Sequence, residues 1–243
     1  MKQEVITKAE KIIECPKHIG IILDGNRRFA KKLMMEPWRG HELGAEKIEK
    51  LFDWCKELRI KEMTLYCFSL ENFNRPKKEF DFLMKIFKKE FSKLKQDKRL
   101  HEDKIKLRFI GKIELFDSEI QRLVKDLEEM TKDYNNYTIN YAVAYGGREE
   151  IIDVTKKVAE QVKAGKLDIN DIDEGVFKRN LWLNSEPDLI IRTSESRLSG
   201  FLLFQSAYSE IIFLPEKLWP EFTKQDLLNC IEEYKKRSRR FGK

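Results

Sequence analysis

Six short apolar runs, rich in β-branched residues, recur along the chain at Ile19–Leu23, Met63–Phe68, Ile105–Ile110, Tyr137–Ala144, Leu189–Ile191 and Ile211–Leu214. Between them lie longer stretches with apolar residues at helical spacing. Over 44–58, Ile48, Leu51, Phe52 and Cys55 share one face, and over 80–94 Phe80, Leu83, Phe87, Phe91 and Leu94 form another. Further helical patterns cover 120–130, 149–162 and 224–234. Strands alternating with helices predict βα units and a mainly parallel sheet, because parallel neighbours need a crossover long enough to hold a helix. No repeat or compositional break divides the 243 residues, so one α/β domain is expected over 1–243, with 1–16 as an N-terminal extension and 235–243 as a basic tail.

In open parallel sheets ligands gather beyond the carboxyl ends of the strands. Four loops fall there: "DGNRR" (24–28), "SLENFNRP" (69–76), "YGGR" (145–148) and "RTSESRLSG" (192–200). Each carries an arginine, whose planar charged fork suits phosphate oxygens. Gly25 and Asn26 would open a helix whose N–H groups can approach an anion. Arg28, Arg75, Arg192 and Arg197 together exceed what one monophosphate needs. Asp24 is the informative oddity, since a carboxylate among such arginines repels phosphate unless a divalent cation bridges them. Mg²⁺ binds in this way, through one or two carboxylates and the ligand's own phosphates.

Each feature alone has a plainer reading. Asp-Gly after a strand signals a turn, an arginine at a strand end commonly makes a surface ion pair, and Tyr-Gly-Gly-Arg is compatible with turn chemistry. The phenylalanine stripe reads as core, and His41 as a hydrogen-bonded structural histidine. Four charged loops at one sheet edge need a common cause. No nucleophile elbow, Walker sequence or GxGxxG motif occurs.

The charge balance narrows the partners. Net charge is +6, from 48 basic and 42 acidic residues. The signs are finely mixed outside the tail "KKRSRRFGK", which argues against a nucleic-acid-binding face. Cys15, Cys55, Cys67 and Cys230 show no metal-ligand spacing and fit a reducing compartment. Neither a signal-peptide pattern nor an apolar run of membrane-spanning length is present, so a soluble, cytoplasmic protein is expected.

The segments "HIGIILDGNRRFAKK", "GHELGAEK", "TLYCFSLENFNRP", "INYAVAYGGREEI", "PDLIIRTSESRLSGFLLFQSAYSEIIF", "LWPEF" and "RSRRFG" follow one another in an order that resembles the cis-prenyltransferases, the undecaprenyl diphosphate synthase family. The likeness runs from His18 to Gly242. It implies a twisted, mostly parallel six-stranded sheet flanked by helices, a homodimer, and Mg²⁺-dependent addition of isopentenyl diphosphate to an allylic diphosphate primer. The product would be a long-chain polyprenyl diphosphate for lipid-carrier synthesis.

By the same resemblance Asp24 is the catalytic, metal-binding aspartate, and Glu210 a second metal-associated carboxylate. Gly25, Asn26, Arg27, Arg28, Phe29 and His41 hold the allylic diphosphate, with Arg75 nearby. Ser69, Leu70, Glu71 and Phe73 line the reacting region, and Asn72 stands at the position assigned as proton acceptor. Arg192, Arg197, Leu198 and Ser199 bind isopentenyl diphosphate, and Arg240, Phe241 and Gly242 reach a diphosphate across the dimer interface. The stripe from Phe80 to Leu94 would line an apolar tunnel for the growing chain. A transient membrane contact would release the product.

The chain departs from the family pattern in four places. Pro37 replaces a basic residue, with Arg39 two positions on. The Arg192–Arg197 loop is one residue shorter than the usual form. Phe29, Phe73 and Phe204 stand where tryptophan is common. Arg27 replaces a glycine, which makes "DGNRR" resemble the archaeal and eukaryotic branch; this leans towards a geranylgeranyl rather than a farnesyl primer. A non-catalytic accessory subunit is the rival reading, and the presence of Asp24, Asn26, Arg28 and Arg75 argues against it.

Overall fold

A computed structural model describes residues 15–237. All six apolar runs are strands: β1 (His18–Ile22), β2 (Glu62–Ser69), β3 (Ile105–Ile110), β4 (Tyr137–Tyr145), β5 (Leu189–Thr193) and β6 (Glu210–Leu214). They form one sheet in the order β3-β4-β2-β1-β5-β6, and every neighbouring pair is parallel. The expected mostly parallel sheet is therefore wholly parallel.

Eight helices join and cover the strands among the described residues: α1 (Asn26–Lys32), α2 (Gly40–Glu57), α3 (Lys77–Leu94), α4 (Lys98–Glu102), α5 (Ser118–Thr131), α6 (Gly147–Lys163), α7 (Glu174–Asn180) and α8 (Lys224–Lys236). Side-chain caps set several of their starts. Asp117 accepts from the N–H groups of Glu119 and Ile120, both at 3.1 Å, and Thr223 forms a reciprocal capping box with Asp226. Such caps satisfy N–H groups that a helix leaves unpaired, at roughly 1 kcal/mol each.

Every residue of β1 is buried, because β1 lies between β2 and β5 with helices over both faces. The main core packs α3 on the sheet through Leu83, Met84, Phe87 and Phe91, beside Phe68, Phe109 and Phe116. Burying each such side chain contributes about 1.5–3 kcal/mol. A smaller cluster on the other face centres on Tyr145, Phe201 and Leu202. Among the described residues no helix is long and apolar enough to cross a membrane.

Candidate active site

β1 is where the sheet order reverses. From it the sheet runs out through β2 and β4 on one side and through β5 and β6 on the other. Neighbouring loops then leave in opposite directions and open a crevice. The loop after β1 turns sharply at Gly25, whose φ of +105° suits glycine; a Cβ there would meet Ser194 Oγ at 2.9 Å and Leu218 Cα at 3.0 Å. Gly40 admits a second close approach, because a Cβ on it would lie 1.9 Å from the Asn26 carbonyl oxygen. α2 therefore rests directly on the start of α1.

This turn presents Asp24 to the end of β5. Its Oδ1 accepts the Gly25 N–H at 2.6 Å, and its Oδ2 accepts Arg192 Nη2 at 2.8 Å. Arg192 is only 4% exposed. Its Nη1 donates to Ser199 Oγ at 2.7 Å and to the Arg197 carbonyl, so the 192–199 loop is tied back onto its own strand. Arg28 spans the same gap from α1. Its Nη1 donates to the Ser194 carbonyl at 3.0 Å, and its Nη2 lies 3.1 Å from Glu195 Oε1 and 3.6 Å from Asp24 Oδ1. Glu195 also accepts from Arg197 at 2.8 Å.

A second charged group faces the first across the cleft. Arg75 donates to the buried carboxylate of Glu79; His41 Nε2 lies 3.5 Å from that carboxylate and Arg27 Nε 3.7 Å from it. The contact with the His41 imidazole, helped by Arg75 and Arg27, holds the Glu79 carboxyl down at about 2. Burial lowers the His41 pKa, which favours the neutral ring. The turn from Ser69 is fixed by Asn72, whose Oδ1 accepts the Ser69 N–H at 3.1 Å.

Between the two groups lies an open cleft of about 840 Å³. Asp24, Gly25, Asn26, Arg27, Arg28, His41, Ser69, Glu71, Asn72, Arg75, Arg192, Arg197 and Ser199 line it. The loop one residue short thus still delivers Arg192 and Arg197. An apolar cavity of about 120 Å³ adjoins the cleft, sharing Leu23, Asn26, His41, Cys67 and Leu83 and continuing along Phe87, Phe91 and Leu94 of α3.

Other expected residues lie elsewhere. Phe29, Leu70, Phe73 and Leu198 are not on the cleft walls; Leu70 and Phe73 pack on the main core and Leu198 on the smaller cluster. Arg148 of the Tyr-Gly-Gly-Arg loop is exposed and outside the cleft, because β4 is separated from β1 by β2. Glu210 begins β6, level with Leu189 and hence with Ile19, and accepts from Arg237 Nη1 at 3.0 Å. It stands at the amino end of the sheet, about five residues or roughly 16 Å of strand rise from Asp24. One chain does not bring these two carboxylates together. Arg240, Phe241 and Gly242 lie outside the described residues.

The residues present fit a one-carboxylate Mg²⁺ site. Asp24 is 33% exposed toward the cleft, with a single protein donor within hydrogen-bond distance of each oxygen, so further lone pairs face outward. No group of three or more His, Cys, Asp or Glu able to hold a metal exists among the described residues. Phosphate oxygens and water would have to complete the shell, as is usual for Mg²⁺. Three of the six buried side-chain polar atoms without partners among the described residues, Asn26 Oδ1, Ser194 Oγ and Arg192 Nε, belong to the segments that flank Asp24.

Comparison with known proteins gives the family of the chain. The family profile Prenyltransf, for undecaprenyl diphosphate synthase, matches residues 22–242. A protein of Pyrococcus horikoshii named tritrans,polycis-undecaprenyl-diphosphate synthase (geranylgeranyl-diphosphate specific) is 48% identical over 231 residues, covering 94% of this chain and 87% of its own. One of the same name from Methanopyrus kandleri is 46% identical over 246 residues, covering 100% and 90%. Among solved structures, lavandulyl diphosphate synthase from Lavandula x intermedia, in complex with dimethylallyl diphosphate, superposes with a TM-score of 0.89 at 35% identity, covering 94% of this chain and 99% of that one.

Proposed function

The chain belongs to the undecaprenyl diphosphate synthase family and is a transferase of the cis-prenyl diphosphate synthase type, and we propose that it extends geranylgeranyl diphosphate with isopentenyl diphosphate units in the cleft between Asp24 and Arg75. The observation that carries this reading is the Arg192–Asp24–Arg28 constellation across the β1–β5 seam, facing the Arg75–His41–Arg27 group. Two cationic groups in one cleft match two diphosphates. The primer follows the names of the two archaeal relatives, each described as specific for geranylgeranyl diphosphate.

In this reading Gly25, Asn26, Arg27, Arg28, His41 and Arg75 hold the allylic diphosphate at the start of α1. Arg192, Arg197 and Ser199 hold isopentenyl diphosphate. Mg²⁺ held by Asp24 would neutralise charge on the diphosphate that leaves. Glu79 keeps Arg75 and His41 in place while the cleft is empty. The arginines stabilise pyrophosphate as the allylic C–O bond breaks, so positive charge can develop on that carbon. The isopentenyl double bond then forms the new C–C bond, and one proton must leave. Asn72 is too weak a base to retain it, and its Oδ1 is already held by the Ser69 N–H. The proton passes to the departing pyrophosphate, the stronger base beside it.

The hydrocarbon enters the apolar cavity under α2 and α3. A cavity of about 120 Å³ is close to one that holds a benzene-sized group, so a longer chain requires these helices to part. The same reading includes a homodimer, because any joint role for Glu210 and Asp24 takes a second chain, and a transient membrane contact for release of the product.

The test is an extension assay with labelled isopentenyl diphosphate and geranyl, farnesyl or geranylgeranyl diphosphate, with Mg²⁺ or chelator. The expected result is a Mg²⁺-dependent ladder, strongest with geranylgeranyl diphosphate and reduced about a thousandfold in Asp24→Ala. Absence of extension with every primer would instead favour an accessory subunit.

A further inference from the structure

The segment that follows α1 is built against the ordinary logic of a helix end. Leu33 caps α1, the Met34 N–H donates to the Lys31 carbonyl at 3.0 Å, and the Met35 N–H reaches back to the Ala30 carbonyl at 2.9 Å. This pair of bonds requires a left-handed residue after the cap, where glycine is usual. Met34 occupies that position at φ +56°. A methionine there is strained, and its side chain gains nothing inside the protein, being 98% exposed.

Met34 does not stand alone. Leu33 beside it is 49% exposed. Phe29, Met35 and Trp38 are only partly buried, and none of these five apolar side chains joins any of the three core clusters. Exposed cations adjoin them in the chain at Arg27, Arg28, Lys31, Lys32 and Arg39; Arg27 faces Glu79 at 3.7 Å, Arg28 faces Glu195 at 3.1 Å and Lys32 faces Glu221 at 2.5 Å, and Glu36 is exposed among them. The patch borders the cleft, since Lys31 lines both. Two exposed apolar side chains at a strained turn, a tryptophan and an excess of Lys and Arg form the composition that seats a segment in the interfacial region of a bilayer.

We propose that the turn around Leu33 and Met34 docks the protein on an anionic lipid surface, holding the cleft mouth against the membrane. The proposal rests on the prenyl-transfer reading for its purpose, because a greasy product needs a lipid phase at the exit. The binding itself follows from this surface alone. Cations give the initial attraction, and burial of Leu33 and Met34 among lipid head groups holds the contact.

The test is co-sedimentation of the full chain with vesicles of phosphatidylglycerol or of phosphatidylcholine. Binding is expected to the anionic vesicles, several-fold weaker to the neutral ones, and falling as salt rises. Leu33→Ser with Met34→Ser should lower partition about tenfold while leaving extension of a soluble primer unchanged. Met34→Gly separates docking from folding, because glycine suits the left-handed position. It should raise the melting temperature by about 2–4 °C and still weaken vesicle binding. Equal binding by wild type and both variants, or no binding of the wild type to anionic vesicles, overturns the proposal. A change in oligomeric mass of the variants with vesicle binding unchanged would assign the patch to a second copy instead. Absence of extension by the wild-type chain, with vesicle binding as expected, would refute the prenyl-transfer reading and leave the docking result standing.

Discussion

The two ends of β1 deal with buried polarity differently. At the amino end the polar groups pair mainly with one another, with His18 Nδ1 and Asn140 Oδ1 left over. His18 Nε2 lies 2.8 Å from Thr64 Oγ1, Asn140 Nδ2 donates to both Thr64 Oγ1 and Glu62 Oε1, and Ser185 Oγ donates to Glu62 at 2.6 Å. Asp188 accepts the N–H groups of Lys17 and His18. At the carboxyl end Asp24, Arg28 and Arg75 are paired, yet half-open to a cleft of about 840 Å³. A network shut away from solvent contributes to stability, whereas one of similar composition that opens on a cleft can still take up a ligand. Polarity in the core is thus structural or functional according to what completes it.

Thr64→Val should have the largest structural effect, because it keeps the shape and removes the hydroxyl shared by His18 and Asn140. A loss of about 2 kcal/mol is expected in urea unfolding, with extension per folded molecule within about twofold of wild type. A fall in extension without loss of stability would erase the distinction between the two ends.

Glu79→Gln tests the open end. Removing the buried charge leaves Arg75, His41 and Arg27 facing one another, and a loss of about 1–2 kcal/mol is expected without ligand. Inorganic pyrophosphate should then raise the melting temperature of the variant more than that of wild type, because an anion replaces the missing carboxylate. Equal shifts would mean that this group does not bind diphosphate.

The smallest effect is pH-dependent. Burial lowers the pKa of both His18 and His41 despite nearby carboxylates, so the folded chain prefers both rings neutral. The unfolded chain takes up protons below about 6.5. Stability is therefore full above that pH and declines as pH falls beneath it. His18→Gln should reduce the drop in urea midpoint between pH 7.5 and 5.5, leaving the His41 share. An identical drop in the variant would remove the amino end from this account.

The strands were legible in the sequence because β1 and β5 are buried along their whole length and the others keep a run or an alternation of apolar residues, and Asp24, Arg28, Arg75 and Arg192 because each lies at or beyond the carboxyl end of a strand. Glu79 was hidden inside "KKEF", which reads as a solvated helix face until Arg75 and His41 fold over it. Glu195 sits in a loop whose path no periodicity predicts. Glu210 carried a readable signal: it opens its strand whereas Asp24 follows its own, and in a parallel sheet those positions lie at opposite edges. Resemblance assigns such residues one role, and topology decides whether one chain can bring them together.

The β1–β5 seam also sets a timetable. Asp24 and Arg192 are 168 residues apart, and β1 meets β5 only after β2, β3 and β4 have been made. A chain emerging from the ribosome can assemble the β1–β2–β4–β3 half of the sheet first, in the order that local crossovers favour. The Arg192 partner of Asp24 arrives 168 residues after it, so a chain made only as far as β4 holds the carboxylate without its guanidinium. Catalytic competence then waits on the second half of the sheet, whatever the first half has already folded.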